Sequence, residues 1–271
     1  MKPSLSLLFP SRFLRPARAR IENEQRRLFQ RAVCSSRYYR ERGIVRLVDL
    51  DEFTSRLDDF RNPKPPAASR VKLHSPWQGA RRGTVVIRPW FPLERRVRVL
   101  DAPSCHSLRE AEPAAIAAPV NVLRGIAEAV AEGRLNLPTL RFGVIAWLGL
   151  GRELLTEHDR ERLWNVLEVP VFSQFRGFEG ELLAYECEHG EGMHVIGEAG
   201  RFESSDTGEL LLTSYLSLRF PVIRLATRLS GWVDERPCPC GRPGPILRGL
   251  AAFRGASSRP APRLALAAVA V

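Results

Sequence analysis

The sequence predicts an α/β protein in which a parallel sheet with crossover helices is followed by a smaller mixed or antiparallel β region. Between Pro113 and Gly180 helical and strand patterns alternate, an order that pairs successive strands in parallel through a crossover helix. Beyond Gly180 the apolar runs are short and closely spaced, the habit of antiparallel sheet. With 271 residues, 44% of them hydrophobic and 26% charged, the chain can bury a sizeable core in one large or two small domains.

Taken in order, residues 20–43 place Ile21, Leu28, Phe29 and Val33 at helical intervals and predict an amphipathic helix ending near Tyr38 and Tyr39. Asp49 or Asp51 can cap a second short helix through Phe53. The proline-rich stretch from Asn62 to Ala80 reads as a connector. Thr84 to Ile87 and Arg96 to Leu100 read as two strands turning at Pro89 to Pro92. A helix follows from about Ala117 to Glu132, then a buried strand from Leu140 to Trp147. Thr156 and Asp159 form a reciprocal helix start, with Leu163, Val166 and Leu167 facing inward. Val169 to Phe172 is the next strand. The later strands are Leu182 to Glu186, Met193 to Ile196, Gly208 to Thr213, Val222 to Leu225 and Gly231 to Val233.

The formal charge of +11 is unevenly placed. Residues 1–48 carry +9 and residues 248–271 carry +4, which leaves the middle at −2. A nearly neutral body with basic ends argues against a nucleic-acid groove built into the fold, and favours solvated arms that touch phosphates weakly. No apolar run is long enough to cross a bilayer. The start resembles a signal peptide, but Pro10 breaks its apolar region and arginines follow it, so a cytoplasmic protein is expected. The expected organisation is a basic arm at 1–19, a helical segment at 20–62, a linker and β hairpin at 63–113, an α/β subdomain at 114–180, a β-rich subdomain at 181–250 and a flexible Arg/Ala tail at 251–271.

The most chemically specific residues are Cys187 and His194, seven positions apart, and Cys238 and Cys240, which flank one proline. Three thiols and an imidazole suit four-coordinate Zn²⁺, and four protein ligands would leave no open position, so the expected site is structural. An odd total of five cysteines fits metal ligation in a reducing compartment better than a disulfide framework. His189 is the alternate imidazole. The competing reading makes Cys187 a buried small hydrophobe and the Cys238 turn a reduced pair. His74, His106 and His158 read as surface or loop residues. Ser104, Cys105 and His106 read as an extended segment whose neighbours point to opposite sides. Trp147, Trp164, Phe172 and Trp232 read as core, and Arg224 as one half of a structural ion pair.

The runs from Leu182 to His194, Gly208 to Thr213, Phe220 to Arg228 and Cys238 to Arg242 together resemble the phenylacetate-CoA ligase family of acyl-adenylate-forming, AMP-binding ligases. The helix from Pro119 to Gly133, the strands at Leu140 and Val169, and the Leu154 to Thr156 helix start resemble the stretch before that family's adenine-binding turn. The likeness runs from about 114 to 250, is thin over 20–62, where Tyr38 to Glu41 and Leu50-Asp51 carry it, and is absent from the arms. It implies a partial adenylate-forming ligase core.

The resemblance implies activation of a carboxylate with ATP and transfer of the acyl group to coenzyme A, chemistry that needs a Gly-, Ser- and Thr-rich phosphate loop. Here Gln78-Gly79-Ala80 and Arg82-Gly83-Thr84 are single glycines that read as turns. Of the family's adenine-binding and magnesium turn, the run from Phe175 to Gly180 keeps only Gly177 and Glu179. Where the family has a carboxylate for the ribose, this chain reads Ala226-Thr227-Arg228-Leu229. The family's lid lysine has no counterpart, since Lys2, Lys64 and Lys72 are the only lysines. The positions left to meet a nucleotide are Gly177, Glu179, Arg224 and Thr227, with no catalytic residue among them. The expectation is a shortened ligase-like protein with a structural zinc site that does not activate acyl groups alone, and serves as an accessory or binding protein for an acyl or aromatic carboxylic acid or a pathway protein. The alternatives are a divergent, active aryl- or acyl-CoA ligase using ATP, Mg²⁺ and CoA, and a basic nucleic-acid-associated protein.

Overall fold

Along the run from Gly143 to Gly149 every side chain is buried, which requires a strand covered on both faces, and the computed structural model supplies both covers. The structure describes residues 27, 29–43, 55, 56, 71–76, 83–216 and 221–254. Its elements are α1 (helical over residues 29–35), α2 (Arg37–Arg40), β1 (Ser55–Arg56), β2 (Thr84–Ile87), β3 (Arg98–Leu100), α3 (Cys105–Ala111), β4 (Ala115–Pro119), α4 (Val120–Ala131), β5 (Gly143–Gly149) and α5 (Glu157–Leu167). These are followed by β6 (Val171–Arg176), β7 (Leu182–Glu186), β8 (Met193–Val195), β9 (Gly200–Ser204), β10 (Glu209–Ser214), β11 (Val222–Asp234) and β12 (Ile246–Ala252).

One sheet in the order β3-β2-β4-β5-β6-β7-β8-β12-β11-β10-β9 runs through the molecule, and β1 pairs in parallel with β11. From β3 to β6 the strands are parallel, and from β6 to β9 antiparallel, as the alternation of helices and then of short strands predicts. Side chains alternate across the parallel half. Val85, Ile87, Ile116, Ala118, Val144 and Ala146 face the helices, with Leu123, Ile126 and Leu163 against them. Val86, Ala117, Ile145 and Trp147 face the other side, where Leu73, Phe91 and Leu93 cover them.

The α4 and α5 crossovers are tied by charge. Arg124 donates from Nε and Nη2 to the two oxygens of Asp159, at 2.6 and 2.7 Å, and also pairs with Glu153. Asp159 meanwhile accepts from the Thr156 backbone N–H at 3.0 Å, and its own N–H donates to the Thr156 hydroxyl at 3.1 Å, which completes the expected reciprocal cap.

Several sequence expectations need correction. Strands β2 and β3 are parallel and do not form a hairpin. Their connection, residues 88–97, crosses a sheet face, because Phe91 and Leu93 bury themselves on the Trp147 side instead of turning back. The helix expected from Ala117 begins at Val120; Ala115–Pro119 is a strand, since full burial on both faces overrides the helical preference of alanine. The Ser104 to His106 stretch is not extended: Ser104 caps α3 in a box with Ser107, and His106 pairs with Glu110 one turn on. The expected strands at Val222 and Gly231 are one bulged strand, β11, and β9 and β12 are strands beyond those the sequence pattern predicts. Trp164 and Trp232 are not core; they are 53% and 54% exposed, Trp164 beside the buried Leu163 on α5 and Trp232 lying over Gly249. Of the first predicted helix, residues 27 and 29–43 are described, with a break at Ser36 between α1 and α2, and Phe29, Val33 and Tyr39 pack on Ile223. The helix expected at Asp49 to Phe53 and most of the Asn62 to Ala80 connector lie outside the described residues.

Candidate metal centre

The β7–β8 hairpin and the turn between β11 and β12 converge because β12 inserts beside β8, with Ile246 opposite His194 and Leu247 opposite Met193. Cys187 follows the last residue of β7, and His194 is central in β8. Cys238 and Cys240 sit on a turn closed by the Gly241 N–H donating to the Cys238 carbonyl at 3.0 Å. Gly241 has φ 73°, a left-handed conformation that glycine adopts without Cβ strain.

The donor atoms of Cys187, His194, Cys238 and Cys240 all lie within 4.8 Å of one another. Cys187 Sγ and Cys238 Sγ are 3.7 Å apart, and Cys240 Sγ lies 3.2 Å from His194 Nε2. A tetrahedral zinc shell with Zn–S bonds of about 2.3 Å has sulfur–sulfur edges of about 3.8 Å, so the donor spacing fits that ion and is too long for a disulfide. Cys187, Cys238 and His194 are buried, and Cys240 is half-buried. His189, the alternate imidazole, is exposed and outside the cluster.

The surroundings favour a neutral imidazole and treat the thiols unequally. Burial, with Arg242 nearby, pushes the His194 pKa down, leaving the ring available as a donor. Its ring stacks on Tyr185, with centroids 5.7 Å apart. Burial pushes the Cys187 thiol up to about 11. Burial acts against the Cys240 thiolate as well, but the Arg242 backbone N–H, 3.4 Å from its sulfur, and the neighbouring thiols outweigh it and hold Cys240 below its ordinary value. Arg242 is itself anchored by an ion pair to Glu188, so the two ligand-bearing loops are clasped outside the cluster too.

The four weaker sequence candidates fall on two separate elements. Gly177 and Glu179 lie on the β6–β7 turn, and Arg224 and Thr227 on β11. The turn is closed on itself: the Gly177 N–H donates to the Glu181 carbonyl, the Glu179 N–H to the Glu181 carboxylate at 3.0 Å, and Trp90 Nε1 to the Gly177 carbonyl. Beside it Arg176 is fully buried, donating to the Gly180 carbonyl and to Gln174 Oε1, both at 2.8 Å, with its guanidinium 5.0 Å from the ring centroids of Phe91 and Trp147. Burial pushes Arg176 down to about 9, against the opposing charge of Glu181. Gly180, at φ 85°, is indispensable there, because a Cβ would meet Phe91 Cγ at 2.1 Å. Sequence reasoning missed Arg176 and Phe91, since nothing in an isolated Phe-Arg-Gly run announces that the arginine turns inward.

Thr227 donates its hydroxyl to the Leu210 carbonyl at 2.8 Å, and Arg224 pairs with Glu203 at 3.6 Å, so both serve the sheet. Thr227→Val leaves a buried carbonyl short of a donor and is expected to cost about 1–2 kcal/mol, read as a lower denaturant midpoint with unchanged slope.

No protein-family model matches the chain, and no curated protein does. Solved structures do. The chain is similar to an open conformation of 2-hydroxyisobutyryl-CoA ligase in complex with 2-HIB-AMP and CoA, with a TM-score of 0.52 and 17% identity over 65% of this chain and 46% of that one. A postadenylation state of the same ligase in complex with R3-HIB-AMP gives 0.52 and 19%, over 64% and 44%. The fold is that of a partial adenylate-forming ligase core. The chain spans less than half the length of these ligase structures. Among the described residues no helix is long and apolar enough to cross a membrane.

Proposed function

We propose that this ligase-like chain is a relative of the phenylacetate-CoA ligases that holds a structural zinc ion on Cys187, His194, Cys238 and Cys240, and does not carry out ATP-dependent acyl activation by itself. It acts as an accessory or binding protein toward a carboxylic acid or a protein of the same pathway, in the cytoplasm. The observation that carries this reading is the β6–β7 turn. Its Gly177 and Glu179 N–H groups are both spent on Glu181, and the strand leading into it buries Arg176 between Phe91 and Trp147. In open α/β sheets ligands bind in the crevice beyond the carboxyl ends of parallel strands, and here side chains of this chain occupy that end. On β11, where a ribose-binding carboxylate would be needed, the chain has Thr227 bonded inward and no acid between Ala226 and Leu229. The zinc reading rests on the donor chemistry and spacing of the cluster. With four protein donors the ion has no open position, so its contribution is to tie β7 and β8 to the β11–β12 turn.

Pyrophosphate release from ATP, measured with a panel of aryl and fatty acids plus CoA and Mg²⁺, is expected to stay at the level of the enzyme-free control. Acid-dependent turnover would overturn the reading in favour of an active ligase.

A further inference from the structure

The three thiols of the metal cluster differ in how far solvent reaches them. Cys187 and Cys238 are 3% and 5% exposed, whereas Cys240 is only half-buried. Cys34 and Cys105, the remaining cysteines, lie outside the cluster. Because the clustered donors all sit within 4.8 Å of one another, closing a sulfur–sulfur bond between Cys187 and Cys240 is a local movement; at the usual length of about 2.05 Å it draws the two atoms together by less than about 3 Å. Cys238 is the less apt partner for Cys240. Only Pro239 separates them, and its fixed φ stiffens the small ring such a bond would close.

The imidazole is the least secured of the four donors. A ligating histidine ordinarily donates its second N–H to a carboxylate or carbonyl, which fixes the ring, but His194 Nδ1 is buried with no hydrogen-bond partner among the described residues. Stacking on Tyr185 orients it instead. An ion left with His194 and one thiolate has lost half its shell. The two loops, by contrast, stay joined without the metal. Glu188 pairs with Arg242 and Glu191 with Arg248, and Ile246 and Leu247 of β12 remain laddered to β8.

We propose that the cluster is a redox switch: a hydroperoxide oxidises Cys240, Cys187 closes a disulfide on it across the two loops, and zinc leaves while the fold is retained. This rests on the zinc reading above. The Cys240 thiolate attacks one peroxide oxygen, so that an S–O bond forms, the O–O bond breaks and, with hydrogen peroxide, hydroxide departs. The Cys187 thiolate then attacks the Cys240 sulfur; the S–S bond forms, the S–O bond breaks and a second hydroxide departs. Two thiolates have lost two electrons and the peroxide has gained them. Cys238 and His194 alone then face the ion. A dithiol reductant reverses the change by thiol–disulfide exchange, returning both thiolates to the metal, and in a reducing compartment such a bond is transient.

The test uses the full, zinc-loaded chain, hydrogen peroxide and a chromogenic zinc chelator. About one zinc is expected to be released for each peroxide consumed, since one disulfide supplies two electrons. Trypsin leaves Cys187 on residues 177–201 and both Cys238 and Cys240 on residues 229–248, because Arg236 and Arg242 precede proline. The expected product by mass spectrometry is these two peptides joined through Cys187 and Cys240. Far-UV circular dichroism is expected to hold, and dithiothreitol with added zinc to restore the metal. Cys34→Ser with Cys105→Ser is expected to leave the release unchanged. Zinc retained under excess peroxide overturns the proposal. So does release that comes only with sulfonic acids or with loss of the dichroism, and so does a bond confined to residues 229–248 or ending on Cys238. A chain that takes up no zinc at all refutes the metal reading and the release step with it, while the Cys187–Cys240 link remains measurable in that same chain and separates the two failures.

Discussion

Cys238→Ser is expected to lower bound zinc from about one equivalent per chain to less than a tenth of that after challenge with a mild chelator, and to unfold the molecule near the β11–β12 turn. The spacing of the four donors leaves little reorganisation on metal uptake: the 3.7 Å sulfur separation already lies near that of a filled tetrahedron. In small zinc modules the ion contributes on the order of 10 kcal/mol of apparent folding free energy, more than the whole margin of many domains. Losing one of four thiolate or imidazole donors should therefore lower the melting temperature by tens of degrees or split the transition. Metal analysis and calorimetry read the two effects separately. Cys105→Ser, which removes a thiol outside the cluster, is the matched control and should leave zinc content unchanged. Zinc-free protein that melts like the zinc-loaded form would end the structural role.

The second large effect belongs to Asp159. Asp159→Ala removes the α5 capping partner and leaves the half-buried Arg124 guanidinium with Glu153 as its one acidic partner among the described residues and a long hydrogen bond to the Leu154 carbonyl. A lost cap and a lost charge-assisted pair together are expected to cost about 3 kcal/mol, seen as a fall in the urea midpoint. Asp159→Asn keeps an oxygen for the cap and should cost less. The same carboxylate gives a pH signature. Hydrogen bonds from Arg124, with Thr156 adding to them, hold its pKa below the ordinary carboxylate value against the opposing effect of burial. The unfolded chain therefore takes up the proton first as the pH drops. The stabilisation is fully present above about pH 4, the unfolded carboxylate range, and fades as acidity increases below it. A pH series of urea melts should show the Asp159→Ala penalty shrinking between about pH 4 and pH 2.

Much of this architecture was legible because certain residues have few alternatives. Thr156 with Asp159 announces a helix start from local hydrogen bonding alone, and α5 begins where they predict. A Cys-Pro-Cys turn, with a further thiol and an imidazole seven residues apart, announces soft-metal chemistry, and the four predicted donors converge. What could not be read depends on partners distant in sequence. Ala115 to Ala118 become a strand only because helices lie on one side and Phe91 and Leu93 on the other. The parallel pairing of β2 and β3 follows from where that same connection buries its aromatic and leucine, not from the prolines that suggested a reversal. Arg176 is polar in composition and core in fact, because Gln174 and the Gly180 carbonyl await it. Trp164 and Trp232 show the converse: aromatic content predicts burial only where a neighbour arrives to cover the ring.

Strand β12, the last strand of the described chain, lies between β8 and β11 and is the only link in the sheet order between β3–β8 and β11–β9. Until residues 246–252 are in place, the strands from β3 to β8 and those from β11 to β9 have no hydrogen-bonded ladder between them and leave unpaired borders at β8 and β11. Such borders recruit any extended chain nearby. A chain stalled before Ile246 is thus expected to present two unpaired flanks at once, at β8 and β11.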